Sequence, residues 1–159
     1  KTTRPSYVRT GRPKVAAIYD SAYRFQLGTA TTLRSGGDVT LIACGVLVGV
    51  ALQAAELLAG EGVSARVLDM ATIKPIDRDA VLAAARETGA IVTAEEHQTH
   101  GGLGTAVARV LATELPTPIA FVGVDRYGTS GKWDELLGYF ELTPQRLAQA
   151  ARDVIARKR

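Results

Sequence analysis

The sequence predicts an α/β layered domain built on parallel strands, and two observations carry that reading. From Asp38 onward, short β-branched apolar runs alternate with alanine- and leucine-rich runs of helical length, the pattern left by parallel strands joined through crossover helices. Each strand-like run is also nearly continuous in apolar residues, as expected when helices cover both faces of a sheet.

The elements follow in order. Residues 39–45 (VTLIACG), 65–70 (ARVLDM), 90–96 (AIVTAEE) and 119–124 (IAFVGV) read as strands. Between and after them, helices are expected at about 47–59, 78–88, 103–114 and 144–157. Asp77 can cap the second helix by accepting from its free amides, and Thr143 followed by Pro144 is a cap with proline at the tolerated first position. Gly60, Gly62 and Gly89 supply stops. A further strand fits around residues 27–34, ahead of a glycine turn. Residues 1–20 differ: two prolines, five cationic side chains and no helical period give a linker, in which SYVRT is strand-like but has no obvious partner. The expected division is therefore residues 1–20 as the tail of a preceding domain with its linker, and residues 21–159 as one domain. No internal repeat or low-complexity tract interrupts it.

Composition excludes some function classes. In 159 residues, 47% hydrophobic side chains suffice for a real core. The net charge is only +3, and the one basic run, Arg-Lys-Arg at 157–159, reads as a solvated helix end rather than a nucleic-acid arm. No apolar run reaches the roughly 18 residues of a membrane span, and the polar start lacks a signal peptide's apolar stretch. With Cys44 as the single cysteine, an internal disulfide is impossible and a reducing, cytoplasmic setting is expected. The chain also contains no asparagine, so a cofactor site that depends on an Asn side chain must be built by other polypeptide.

Two stretches invite a chemical reading. TAEEHQTHGGLG at 93–104 holds both histidines of the chain, His97 and His100, beside Glu95 and Glu96. As a metal site it is poor, because a strand running into a glycine-broken loop lacks the fixed helical spacing that presents two ligands on one face. As an anion cradle at the start of a helix it is better, yet it has no dinucleotide or P-loop spacing. The preferred reading is that Gly101, Gly102 and Gly104 permit a tight turn and close helix–sheet packing. Glu95, Glu96 and His97 then stand at a strand's carboxyl edge, where a partner surface can meet them. In RYGTSGKWDELLGYFELTP at 126–144, Gly128, Ser130 and Gly131 form a loop. Trp133, Leu136, Leu137 and Phe140 recur at helical spacing and read as a core-facing staple. Cys44 reads as a small buried hydrophobe with no base to activate it.

Four stretches, SYVRTGRP (6–13), VLDMATIKPID (67–77), TAEEHQTHGGLG (93–104) and RYGTSGKWDELLGYFELT (126–143), stand in an order and spacing that resemble the C-terminal third of transketolases, especially the animal form and that of short or split bacterial enzymes. The resemblance covers essentially the whole chain. It implies a three-layer α/β/α sandwich with a mixed five-stranded sheet whose first strand runs against the rest. It implies that residues 1–20 end the family's middle, pyrimidine-binding domain. It also implies transfer of a two-carbon ketol unit between sugar phosphates, with thiamine diphosphate and magnesium in the complete enzyme. That family site uses a Gly-Asp-Gly stretch, a downstream asparagine and a catalytic glutamate, all on missing N-terminal thiamine-binding domains, so this chain alone should bind no cofactor or metal and be inactive. Those domains, in the same chain or a partner subunit, are the implied partners, within a homodimer or heterotetramer.

One functional residue carries over from the resemblance. Arg9, in YVRTGRP, matches the arginine that reaches the substrate phosphate, and a guanidinium suits that task because it is planar, bidentate and always charged; Arg12 is the weaker candidate. The position of Glu95, Glu96, His97, His100, Gly101 and Gly102 is implied to lie at a subunit or interdomain interface, not on the reacting carbons. Two alternatives remain open at this point: the C-terminal domain of a related thiamine enzyme (deoxyxylulose-phosphate synthase or a 2-oxo-acid dehydrogenase beta subunit), and a non-catalytic assembly or regulatory module.

Overall fold

The computed structural model describes Thr3 and residues 5–158; Arg159, the end of the basic run, and residues 1, 2 and 4 of the linker lie outside them. Strands β1 (Thr31–Arg34), β2 (Val39–Ala43), β3 (Ala65–Asp69), β4 (Ile91–Gln98) and β5 (Ile119–Val124) alternate with helices α1 (Leu47–Gly60), α2 (Arg78–Thr88) and α3 (Leu103–Glu114). Helices α4 (Trp133–Tyr139) and α5 (Pro144–Ile155) complete the order.

The strands form one sheet in the order β1-β3-β2-β4-β5. β3, β2, β4 and β5 run parallel to one another, and β1 pairs antiparallel with β3. Alternation assigns the faces: Val39, Leu41 and Ala43 of β2 pack with α1 and α5, whereas Ile42 packs with Val81, Ala84 and Ala85 of α2 and Leu103, Val107 and Leu111 of α3. The architecture is thus the expected three-layer sandwich with a mixed five-stranded sheet. Small side chains, Ala51, Ala54 and Ala55 facing Ala148, Ala150 and Ala151, are all buried and let α1 and α5 approach closely. Among the described residues no helix is long and apolar enough to cross a membrane.

Boundary chemistry explains the element ends. Asp77 Oδ1 accepts from Ala80 N at 2.9 Å, capping α2, while Oδ2 accepts from Ala30 N at 2.8 Å and so fixes the entry into β1. Gly89 ends α2 with φ +64°, a conformation that a Cβ disfavours. Thr143 accepts from Arg146 N with Pro144 in the first turn of α5.

Four expectations need correction. Residues 27–30 lie outside β1, and α5 stops at Ile155. β4 runs on to Gln98, two residues past its expected end at 96, so His97 lies within the strand's carboxyl end. The strand-like SYVRT is irregular, as is all of residues 5–30 apart from turns.

Candidate functional site at the carboxyl edge of the sheet

Four parallel strands end on one edge of this sheet. β2 is followed by β3 on one side and by β4 on the other, so the crevice between the ends of β2 and β4 is a topological switch point, where open α/β sheets bind ligands. Because β1 is antiparallel, the irregular segment before it arrives at this same edge. Two side chains fasten the segment: Tyr19 Oη donates to Asp69 Oδ2 at 2.6 Å, and Arg9 Nη2 donates to the main-chain oxygen of Glu96 at 3.0 Å. Tyr19 in turn stacks on Tyr23, with ring centroids 3.7 Å apart. Between segment and sheet lies a cavity of about 370 Å³ lined by Arg9, Ile18, Tyr19, Gly45, Val48 and Asp69 among others. Arg12 is exposed.

Burial raises three titrating groups at this edge, Asp69, Tyr19 and Cys44. Burial raises the Asp69 carboxyl above its ordinary value, and the hydrogen bond from Tyr19 acts in the opposite direction. Burial, then the bond to Asp69, raises the Tyr19 hydroxyl. Burial, followed by the charge of Glu95, pushes the Cys44 thiol up to about 12, so it stays protonated and inert near neutrality. Among the described residues that line this cavity, Arg9 supplies a cationic side chain to a ligand.

The stretch 93–104 divides into an inner and an outer part. β4 pairs with β5 at Ala94↔Val122 and again at Gln98↔Val124, so β4 carries two extra residues between those pairs, a bulge that re-aims its side chains. Glu95 turns inward and is 3% exposed. Its carboxylate accepts from Leu103 N at 2.7 Å and Gly104 N at 2.8 Å, an anion on the positive end of α3. The cradle that the glycine pattern offered is filled by the chain's own glutamate. Gly102 makes room for it, since a Cβ there would stand 2.0 Å from Glu95 Oε2, while Gly104 makes room for Phe121, whose Cδ1 would stand 2.6 Å from an added Cβ.

Of the interface candidates, Glu95 and Gly102 are thus buried in this chain, Glu96 is half-buried, and His97, His100 and Gly101 are exposed. His97 Nδ1 sits 3.0 Å from the Gln98 oxygen and 4.0 Å from Glu95 Oε2. His100 contacts Thr99 Oγ1 at 3.5 Å. Among the described residues no three His, Cys, Asp or Glu side chains converge as a metal site.

Trp133 corrects the staple reading. Leu137 and Phe140 do pack against the core, but no residue of α4 is fully buried, and the Trp133 indole Nε1 donates to Glu96 Oε1 at 3.2 Å. Helical spacing counted Trp133 as apolar; the usable signal was its N–H, which seeks a partner when half-buried. Tyr19 and Asp69 also went unmarked, because residues 50 positions apart in the chain meet only in the fold.

Comparison with known proteins adds the family. The family model described as "Transketolase, C-terminal domain" matches residues 28–147. A 6-deoxy-6-sulfo-D-fructose transketolase subunit of Clostridium sp. strain MSTE9 is 46% identical over 155 residues, covering 97% of this chain and 48% of that protein. An apulose-4-phosphate transketolase subunit of Phocaeicola vulgatus is 40% identical over 153 residues, covering 95% of this chain and 49% of that protein. Among solved structures, one titled as a split-gene transketolase in an inactive beta4 tetramer superposes with a TM-score of 0.89 at 43% identity, covering 91% of this chain and 48% of that one. The chain spans about half the length of the first of these relatives.

Proposed function

This chain belongs to the transketolase family, as its C-terminal domain, and from that premise we propose that it serves a thiamine-diphosphate-dependent transketolase that moves a two-carbon ketol unit from a ketose phosphate to an aldose phosphate. The cofactor and its magnesium do not fit this chain: it has no Gly-Asp-Gly and no asparagine, and the carboxylate of Glu95 is committed to the amides of α3. They belong to the N-terminal domains, carried by the same polypeptide or a partner subunit.

The chain's own contribution is substrate binding and assembly. Arg9 is the phosphate-binding residue, with Arg12 behind it. The observation that carries this is the seat of Arg9 at the switch-point crevice, where one donor rests on the Glu96 carbonyl and a guanidinium has further donors in the same plane to hold an oxyanion from two sides. Residues 1–20 close the preceding domain, and residues 21–159 form the C-terminal domain proper. The exposed His97, His100 and Gly101, with half-buried Glu96 beside them, meet the rest of the enzyme.

The test is to combine the chain with the polypeptide that carries the thiamine site, magnesium and cofactor, and to measure ketol transfer from xylulose 5-phosphate to ribose 5-phosphate. Absence of transfer in an assembled complex would sink the proposal. A sulfonated sugar is the second reading, favoured by the relative named for 6-deoxy-6-sulfo-D-fructose at 46% identity; a competition between phosphate- and sulfonate-bearing ketoses separates the two.

A further inference from the structure

We infer that Glu96 and Trp133 form a positioning pair that aims Arg9 at the charged end of the sugar. This rests on the assignment of Arg9 to the substrate phosphate, and it adds two residues that do not themselves touch substrate.

Glu96 lies in the bulge of β4. It falls between the paired positions Ala94↔Val122 and Gln98↔Val124 and has no paired residue of its own in β5. Two contacts from distant parts of the chain hold this residue, one at its carboxylate and one at its carbonyl. On one side the Glu96 carboxylate accepts from the Trp133 indole at 3.2 Å. On the other, its carbonyl accepts from Arg9 Nη2 at 3.0 Å. Trp133 opens α4, which holds the indole on a regular element, while Arg9 sits on an irregular segment and has a long flexible stem. Orientation therefore passes from α4 through the side chain and then the carbonyl of Glu96 to the guanidinium. A guanidinium has five donors in one plane; fixing one of them fixes the direction of the others, and a bidentate contact to an oxyanion depends on that direction. The contribution is to binding of the anionic end of the substrate, not to the reacting carbons.

The experiment uses the assembled enzyme, with the full chain and the polypeptide carrying the thiamine site, and compares ribose 5-phosphate with unphosphorylated ribose as acceptor. Trp133→Phe keeps the ring and removes the donor. It should raise KM for ribose 5-phosphate by about three- to ten-fold, with kcat within about two-fold and KM for ribose unchanged. Glu96→Met removes the same hydrogen bond from the other partner and should reproduce the shift, whereas Glu96→Gln, which keeps an acceptor oxygen and the carbonyl, should not. In an Arg9→Ala background, Trp133→Phe should have no further effect on KM. A fall in kcat at constant KM, an equal effect on both acceptors, or additivity with Arg9→Ala would each overturn the positioning role while leaving Arg9 in place. If Arg9→Ala itself leaves KM for ribose 5-phosphate unchanged, the phosphate assignment falls and this inference with it.

Discussion

Glu95 and Gly102 are packed so tightly that the space for one defines the other: the Glu95 carboxylate occupies the volume that a side chain on Gly102 would need, with Oε2 2.0 Å from an added Cβ. Gly102→Ala should therefore act by pushing the carboxylate off the amides of Leu103 and Gly104. We expect a loss of about 2–3 kcal/mol, the scale of a buried charge-assisted hydrogen bond left unmade, and a loss of similar size for Glu95→Gln, which replaces one acceptor oxygen by a donor. Urea unfolding of both variants and the double variant checks this. The two losses should fall short of additivity by at least about 1 kcal/mol; full additivity would show that Gly102 is required for some other reason.

The Tyr19–Asp69 contact should set how firmly residues 5–30 lie on the sheet edge. Tyr19→Phe deletes the donor at 2.6 Å, and limited proteolysis in the segment around Arg24 should accelerate while the sandwich itself resists. The same variant has a pH signature. Asp69 is raised in the folded chain, mainly by burial, so folding favours its protonated form and stability declines as pH climbs from the ordinary carboxylate range to the raised value. Without the Tyr19 bond, which favours the charged form, that decline should extend to higher pH. A pH titration of the melting temperature that leaves the two proteins parallel would refute this.

Cys44 should be slow to alkylate. Its thiol is raised from 9.0 to about 12, so iodoacetamide at pH 8 should label the native chain far more slowly than the urea-unfolded chain. Since the folded form holds its proton more tightly, the Cys44 contribution to stability is complete below pH 9 and is lost between 9 and 12. Cys44→Ala should flatten that alkaline decline.

His97, with nearly half of its side chain exposed, should matter for association. His97→Ala is expected to weaken assembly with the remaining domains, read by analytical ultracentrifugation, and to leave turnover per assembled site within a few-fold. A large fall in turnover in a fully assembled enzyme would move His97 to the chemistry.

Local rules made most of the sandwich legible. Both faces of β2 and β4 are covered, so their apolar runs stand out, and α2 is bracketed by Asp77 and Gly89, whose capping roles depend only on neighbours in sequence. The β1 start was misplaced because Ala30 is held by Asp77, 47 positions away. The candidate site was less legible for the same reason. Glu95 and Glu96 are adjacent and chemically alike, yet one is buried under α3 and the other binds Trp133; the difference comes from the register shift against β5, which no period in β4 announces. Arg9 could be singled out by resemblance, but its anchor is a backbone carbonyl, and a carbonyl carries no sequence signature.

The placement of α5 has a consequence for biosynthesis. The face of the sheet beneath it is apolar and is shared with α1, and Leu147, Ala151 and Val154 of α5 are buried against it. During translation every strand leaves the ribosome before this cover does, so the nascent sandwich shows one greasy side to solvent or to a chaperone until its closing helix has been made. A ribosome stalled before Pro144 would hold a finished sheet with half its lid missing.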